Sequence, residues 1–160
     1  MSKFKELNNN ITKVMSALID NQNICKLLNY NTGDALSKPD IENTTELLYK
    51  NIYPYLISLD AQETPKSFIC VSLDDFRSLD RSLYFTNNKL VFHVMCHNDL
   101  WQVDEGLRPF CILDEIDDIF CNGHMIGYGK MIFDSSNLVF AKNYTGYRVA
   151  YKITDVNNLR

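Results

Sequence analysis

The chain has 160 residues, a length typical of one domain, and a formal net charge of −4. Hydrophobic residues make up 46% of it and charged residues 22%, which excludes a chain too polar to fold and indicates a globular protein. The 20 acidic residues outnumber the 16 lysines and arginines, so tight non-specific binding to nucleic acid is excluded as well. We expect a single domain over 1–160, with a helical part over 3–50 and a sheet with an inserted helix over 66–155.

The cysteines are five in number, widely scattered and mostly flanked by apolar residues, which predicts buried thiols in a reducing compartment. The first residues lack the apolar run of a signal peptide. No stretch approaches the roughly 18 apolar residues that cross a membrane. We therefore expect a protein that is made in the cytoplasm and stays there, or in whatever assembles there. The cysteines are Cys25, Cys70, Cys96, Cys111 and Cys121.

The N-terminal part carries a helical pattern. Apolar residues recur every three or four positions over 3–31, which predicts one apolar helix stripe. Asp20 is placed to cap a second short helix, so we expect a break near residue 20. The polar stretch over 29–39 predicts a loop. Asn43 begins a capping pattern that predicts one or two helical turns up to about Tyr49.

Two segments dense in β-branched and aromatic residues, 67–74 and 89–97, predict strands. Both faces of the second segment are largely apolar, so we expect it inside the sheet. Two further strands are predicted over 127–134 and 147–154. The charged connection over 75–88 is long enough to form a protruding arm.

A second amphipathic helix is predicted over 109–122, because a proline stands in its first turn and its apolar residues form one stripe. The order of elements predicts an α+β fold, in which a mainly antiparallel sheet packs against the N-terminal helix and this second helix. The rest of the second helix is acidic, through Asp114, Glu115, Asp117 and Asp118.

A metal site has to be considered around residues 93–99. On a strand His93 and His97 share one face about 13 Å apart, whereas Cys96 points to the other face, so one ion cannot bind all three. Asp99 and His124 are the further ligands that such a site would need. We therefore predict no metal and no cofactor, and we interpret the histidines as strand residues.

A nuclease is the enzymatic alternative. The acidic residues of the second helix could hold Mg²⁺, although a solvated helix face is the commoner meaning of such a cluster. In addition, Lys38-Pro-Asp-Ile-Glu-Asn43 resembles the Lys-Pro-Asp-x-Asp-Asn signature of small Holliday-junction resolvases, in which the aspartates bind magnesium. Glu42 stands here at one aspartate position. Because the sequence has no nucleophile elbow and no phosphate-binding glycine loop, we predict no enzyme and no catalytic residues.

Several features in chain order form one arrangement. The first helix contains Leu18-Ile-Asp-Asn-Gln-Asn-Ile-Cys-Lys-Leu-Leu28, and a central pair of strands follows around a charged arm. Phe92 to Trp101 then leads into Arg108-Pro-Phe-Cys-Ile-Leu-Asp-Glu-Ile-Asp-Asp-Ile-Phe120. The chain closes with a Tyr/Gly turn and an alternating run, Asn143-Tyr-Thr-Gly-Tyr-Arg-Val-Ala-Tyr-Lys-Ile-Thr-Asp155. This arrangement resembles the tail terminator and tail completion proteins of tailed bacteriophages.

The resemblance implies a structural virion protein, assembled in the host cytoplasm and located in the tail neck. Such proteins form a ring of about six subunits at the head-proximal end of the tail, where they end tail-tube growth and join the tail to the head. The implied partners are further copies of the chain, the tail-tube protein and a head-side connector or adaptor, with no membrane. DNA would pass through without specific binding.

Charged residues are the candidates for the surfaces of such a ring. The arm could reach a neighbour through exposed ion pairs that fix register, and its candidates are Asp74, Asp75, Arg77, Asp80 and Arg81. An acidic helix facing the lumen would repel DNA phosphates, and its candidates are Asp114, Glu115, Asp117 and Asp118. A third possibility is an adaptor that binds one host partner in a one-to-one complex without self-assembly.

Overall fold

A computed structural model describes residues 3–59, 64–74, 89–122 and 129–155. Two helices begin it, α1 over Lys3–Ile19 and α2 over Gln22–Asn29. The break expected near residue 20 is confirmed, but the predicted cap was wrong. The side chain of Asn21 accepts the N–H of Ile24 at 2.9 Å, whereas Asp20 still belongs to the last turn of α1, since its own N–H donates to the carbonyl of Ser16.

Short helical turns follow α2. The predicted loop over 29–39 contains one 3₁₀ turn at Ala35–Ser37, and the turns predicted up to Tyr49 form a 3₁₀ helix over Thr44–Leu47. The capping pattern at Asn43 does not act as predicted, because its side chain bonds to those of Thr45 and Glu46 rather than to a backbone N–H.

Five strands form the main sheet in the order β1-β2-β3-β7-β6, antiparallel except for the β1–β2 pair. Strands β2 and β3 have the predicted bounds. A separate two-stranded sheet joins β4 and β5. The strands are β1 at Ile52–Tyr53, β2 at Ser67–Asp74, β3 at Lys89–His97, β4 at Gln102–Val103, β5 at Gly106–Leu107, β6 at Gly129–Ala141 and β7 at Tyr144–Asp155.

The second amphipathic helix, α3, spans Arg108–Asp117 and continues as a π-helical turn over Asp118–Asn122. Together α1, α2 and α3 cover one face of the sheet, which we call the helical face, and the main core lies between them. A smaller cluster lies on the second face, where Phe68, Cys70 and Met95 pack with Tyr53 and Tyr144. The predicted α+β fold, a mainly antiparallel sheet packed against helices, is confirmed.

The β6–β7 hairpin is longer than predicted. Its turn lies at 142–143, where Lys142 has φ 54°, so residues 144–146 belong to β7 rather than to a turn before it. A side chain at Gly146 would overlap the carbonyl oxygen of Val94, so glycine lets β3 and β7 approach at this point. Strand β6 continues seven residues beyond the predicted end at 134 and bulges there. Residues 127–128 lie outside the described part.

Candidate functional site

The outer edge of β6 is the first notable surface. The strand has 13 residues and pairs with β7 on one side. Among the described residues, no strand pairs with its other side. A long unpaired edge presents main-chain N–H and C=O groups that can bind a strand of another chain.

Large apolar side chains are exposed along this edge strand. Leu138 is 59% and Phe140 78% exposed, and Ile132 and Phe133 are each about half exposed. From the register, Phe133, Leu138 and Phe140 lie on the helical face. Helix α3 packs against β3, and its π-helical continuation contacts β6. Soluble monomers rarely expose apolar side chains this close together, so the surface is a candidate for contact with another chain.

A groove of about 580 Å³ lies between α3 and the β6–β7 hairpin. Phe133, Val149 and Tyr151 line it from the sheet, and Leu107 and Phe110 line it from the start of α3. Its other lining side chains include three carboxylates, and no lysine, arginine or histidine of the described chain lines it. The groove therefore combines an apolar interior with negative charge. Its carboxylates are those of Glu105, Asp114 and Asp117.

Two titratable groups in the groove are held protonated. The hydroxyl of Tyr151 donates to Asp117 Oδ1 at 3.1 Å, and burial together with this carboxylate raises the pKa of Tyr151. Burial, with Glu105 and Asp114 nearby, raises the pKa of the Cys111 thiol. The groove thus offers no activated nucleophile, because the thiolate and the phenolate are both disfavoured.

The four acidic residues of the second helix do not share one environment. Glu115 accepts hydrogen bonds from the side-chain amides of Asn21 at 2.9 Å and Asn23 at 2.7 Å, which joins α3 to the start of α2. Asp117 lies in the groove with Tyr151. Asp114 and Asp118 are exposed. Only Asp114 and Asp117 are brought together, at the groove.

Of the arm candidates, only Asp74 lies in the part that the structure describes. It ends β2, is exposed, and has its carboxylate 3.4 Å from the guanidinium of Arg148 on β7. The other four, Asp75, Arg77, Asp80 and Arg81, lie outside the described residues.

The strand histidines have separate surroundings. His93 is partly buried beside Arg148 on the second face, and burial lowers its pKa. His97 accepts the backbone N–H of Asp99 at 3.1 Å through Nδ1 and meets the ring of Tyr144 edge-on. Within the described ranges, no three His, Cys, Asp or Glu side chains are grouped to hold a metal. His124 lies outside those ranges.

None of the five cysteines, all of which lie in the described part of the chain, forms a disulfide. Cys25, Cys70 and Cys96 are buried, as predicted, whereas Cys111 and Cys121 are only partly so. Burial raises the pKa of Cys25 and of Cys96 to about 11, so these thiols stay protonated.

The resolvase-like segment is a surface loop. Its Asp40 forms an ion pair with Lys26 on α2 at 2.9 Å, and Glu42 is exposed. The carboxylate that a magnesium ion would need thus already binds a cation of this chain.

In the described part of the chain, no helix is long and apolar enough to span a membrane.

Sequence reasoning missed Arg108, the first residue of α3. Its side chain is fully buried and donates to the carbonyls of Leu27 at 2.6 Å, Leu100 at 2.7 Å, Thr32 at 2.9 Å and Tyr30 at 3.0 Å. Carbonyls at a helix C-terminus favour a cation, which explains how these backbone groups stabilise the buried charge. Arg108 therefore fixes the start of α3 against the end of α2, and with it one wall of the groove.

Comparison with known proteins places the chain in a family. No curated protein and no solved structure matches it significantly. A family model described as YomW matches residues 21–153, which include every element from α2 to most of β7. Because this match covers well over half of the sequence, the chain belongs to the YomW family, a phage-derived family.

Proposed function

We propose that this protein is a ring-forming structural component of a phage tail, which ends growth of the tail tube and joins the tail to the head-side connector. The observation that carries the proposal is the outer edge of β6, which exposes Leu138 and Phe140 and has no partner strand in the described chain. Such an edge suits repeated contact between copies. Membership in a phage-derived family supports the proposal that the protein is a phage component.

A ring follows from one contact used repeatedly. When two different surfaces of the protein bind each other, each added copy leaves one surface of each kind unoccupied. The addition of copies ends only when the first and last copies bind each other and close a ring. Closure would shield the β6 edge of every subunit. This would remove the aggregation hazard that a long apolar edge strand creates in a monomer.

The acidic second helix gives the ring a surface that DNA can pass. We place Asp114 and Asp118 at the lumen, since both are exposed and lie one turn apart on the same side of the helix. Glu115 and Asp117 add negative charge but are bound to Asn21 and Tyr151. At physiological salt this charge acts over about 8 Å, so it would repel phosphates only at close approach.

Electron microscopy and light scattering test the ring. We expect the purified protein to form rings alone or after mixing with tail-tube protein. Leu138→Lys should prevent them, because it puts a charge into the proposed contact. The matched control is Asn137→Lys, which places the same charge on the other face of β6. A monodisperse monomer under both conditions contradicts the proposal.

Tail length tests the specific role. In a phage that lacks this gene, tails should exceed their normal length because nothing stops tube growth, and wild-type protein supplied from a plasmid should restore it. Normal tails together with a one-to-one complex with a host protein would favour the adaptor instead. Magnesium-dependent cleavage of branched DNA that Asp40→Asn abolishes would favour the nuclease.

A further inference from the structure

The groove between α3 and the β6–β7 hairpin has a counterpart at the opposite edge of the sheet. We propose that the groove receives the rings of Tyr49 and Tyr55 from a second copy of this chain. The inference rests on the proposed function, since it names the two surfaces that join neighbouring subunits.

Three tyrosine side chains lie together around β1, and we call Tyr49, Tyr53 and Tyr55 the tyrosine patch. The ring centroid of Tyr55 lies 5.8 Å from that of Tyr53 and 6.4 Å from that of Tyr49. Tyr49 is 62% and Tyr55 51% exposed, whereas Tyr53 is buried in the cluster on the second face. The patch therefore offers two adjacent aromatic rings to a partner, above a third ring that the fold holds in place.

The backbone at Tyr49 is strained. Its φ is 61°, in the left-handed region that bulky residues rarely adopt. The N–H of Tyr49 donates to the carbonyl of Ile52 at 2.8 Å, which holds this turn in place. Strained backbone of this kind is concentrated at functional sites. Here the strained turn displays an aromatic ring that the core does not use.

The patch carries positive charge and the groove carries negative charge. The ammonium nitrogen of Lys66 lies 5.3 Å from the ring centroid of Tyr53. It donates to the hydroxyl of Tyr53 at 2.9 Å and to the carbonyl of Lys50 at 3.1 Å, and neither of these acceptors neutralises its charge. The groove is lined by three carboxylates. A contact between the two surfaces therefore brings opposite charges together.

The groove also matches the patch in its apolar lining. Phe110 and Phe133, which line it, are each about half exposed, and Tyr151 lies between them in the lining. Its volume of about 580 Å³ lies within the range of pockets that hold small molecules, so it has room for aromatic side chains. Aromatic side chains that enter such a groove supply much of the free energy of protein association.

The positions of the two surfaces suit head-to-tail assembly. The patch lies at the β1 edge of the sheet, and the groove lies over β7 and β6 at the other edge. A contact between them is heterologous, so copies joined by it add in series until a ring closes. Because Tyr53 belongs to the second face and the groove lies on the helical face, neighbouring copies would overlap at their edges.

Cross-linking tests which residues meet. Cys111 lines the groove, and Cys121→Ser leaves it as the one native thiol that is not buried, because Cys25, Cys70 and Cys96 are buried. In that background, Tyr55→Cys is treated with a short bis-maleimide under the conditions in which the wild type assembles. We expect a ladder of covalent dimers, trimers and larger species on a denaturing gel, since every copy contributes one thiol to each of two contacts.

Two controls define the cross-linking result. Adding Cys111→Ser should remove every species larger than a dimer. The matched variant Asn9→Cys, at an exposed position on α1, should give no ladder. A covalent monomer linked within one chain, a dimer with no larger species, or equal ladders from Tyr55→Cys and Asn9→Cys would each overturn the inference.

Mixing two blocked variants tests whether the surfaces differ. Phe110→Lys puts a cation into the groove, where it repels Lys66 of the next copy, and Tyr55→Ser removes a ring from the patch. Each variant alone should need at least about tenfold more protein for half-assembly, whereas Asn9→Ser should stay within about twofold of the wild type.

An equal mixture of the two blocked variants should form a one-to-one dimer in size-exclusion chromatography with light scattering. Phe110→Lys retains an intact patch and Tyr55→Ser an intact groove, so one native contact is possible, and a dimer also shows that both variants are folded. Two monomers in the mixture would contradict the inference.

The two proposals fail in different ways. If wild-type rings form but Tyr55→Cys gives no ladder and Tyr55→Ser assembles normally, the groove contact is wrong and the ring stands. If the wild-type protein forms no oligomer alone or with tail-tube protein, both proposals are wrong.

Discussion

Arg108 carries a buried charge that no carboxylate among the described residues balances. Its guanidinium is satisfied by four backbone carbonyls at the end of α2 and in the adjoining loops. Burial lowers the pKa of this group, yet arginine remains protonated under all ordinary conditions. The side chain is therefore a fixed cationic link between α2 and α3.

Removing this link should be costly. Arg108→Met keeps most of the volume but takes the donor from four carbonyls, that of Leu27 buried and the others partly buried, so we expect the free energy of unfolding to fall by at least about 3 kcal/mol. Arg148→Met, at a partly exposed ion pair with Asp74, should cost no more than about 1 kcal/mol. Urea denaturation of both variants checks this, and similar losses would contradict the role assigned to Arg108.

His93 should make stability depend on pH. Burial and the facing Arg148 on β7 lower its pKa, and Cys70 is its neighbour on β2. Because the folded pKa is depressed, the unfolded chain takes up a proton that the native state resists once the pH falls below about 6.5. The free energy of unfolding should therefore decline as the pH falls from about 6.5 to the folded pKa. Above about pH 6.5 the ionisation of His93 should not affect stability.

Denaturation at pH 7.5 and pH 5.5 measures this effect. The wild type should lose stability between the two, and His93→Gln should lose less. Asp134, held by Lys89 at 3.2 Å and Lys152 at 3.0 Å, has a lowered pKa through those hydrogen bonds. The contribution of the Asp134 carboxylate to stability is lost only as the pH falls below about 4, so the pH ranges in which Asp134 and His93 affect stability are separate. An identical loss in His93→Gln would contradict the prediction.

At the scale of elements, the pairing of β3 with β7 depends on one glycine. A side chain at Gly146 has no room, because the backbone of Val94 and Met95 occupies that space. Gly146→Ala should therefore destabilise the protein by about 3 kcal/mol or more, since backbone rather than a flexible side chain must move. Gly33→Ala meets only the side chain of Asp104 at ordinary contact distance and should cost under about 1 kcal/mol. Thermal unfolding compares them, and equal effects would refute the close approach.

Strands β2 and β3 could be predicted to the residue, because dense β-branched segments between polar turns determine them locally. The part of strand β6 beyond residue 134 could not be predicted. Its Ser135, Ser136 and Asn137 resemble a turn in sequence, yet such residues fit an edge strand that is exposed to solvent. Strand β1 has only two residues and forms through a parallel pairing that no local pattern encodes.

The candidate site divides in the same way. The acidic helix could be predicted from the sequence, because its apolar residues form one stripe and acidic residues occupy the rest of its surface. The groove could not be predicted, because it depends on the position of α3 beside the β6–β7 hairpin. That position is fixed by Arg108, whose partners lie up to 81 residues away in the sequence. Long-range contacts of this kind leave only a weak local signal, an arginine directly before the helix proline.

At the scale of the whole molecule, association should stabilise the native state. If copies bind each other only when folded, mass action favours the folded form as protein concentration rises. In the proposed assembly the exposed side chains of β6 form the contact surface, which the unfolded chain cannot present.

The Tm should therefore depend on protein concentration. Each tenfold increase adds up to about 1.4 kcal/mol per associating contact, which raises the Tm by a few degrees for a domain of this size. Leu138→Lys should show a constant Tm across the same range, and Asn137→Lys should follow the wild type. Differential scanning calorimetry over a hundredfold range of concentration measures all three. A wild-type Tm that does not change with concentration would contradict association through the hairpin, because a bound native state must gain stability from its partner.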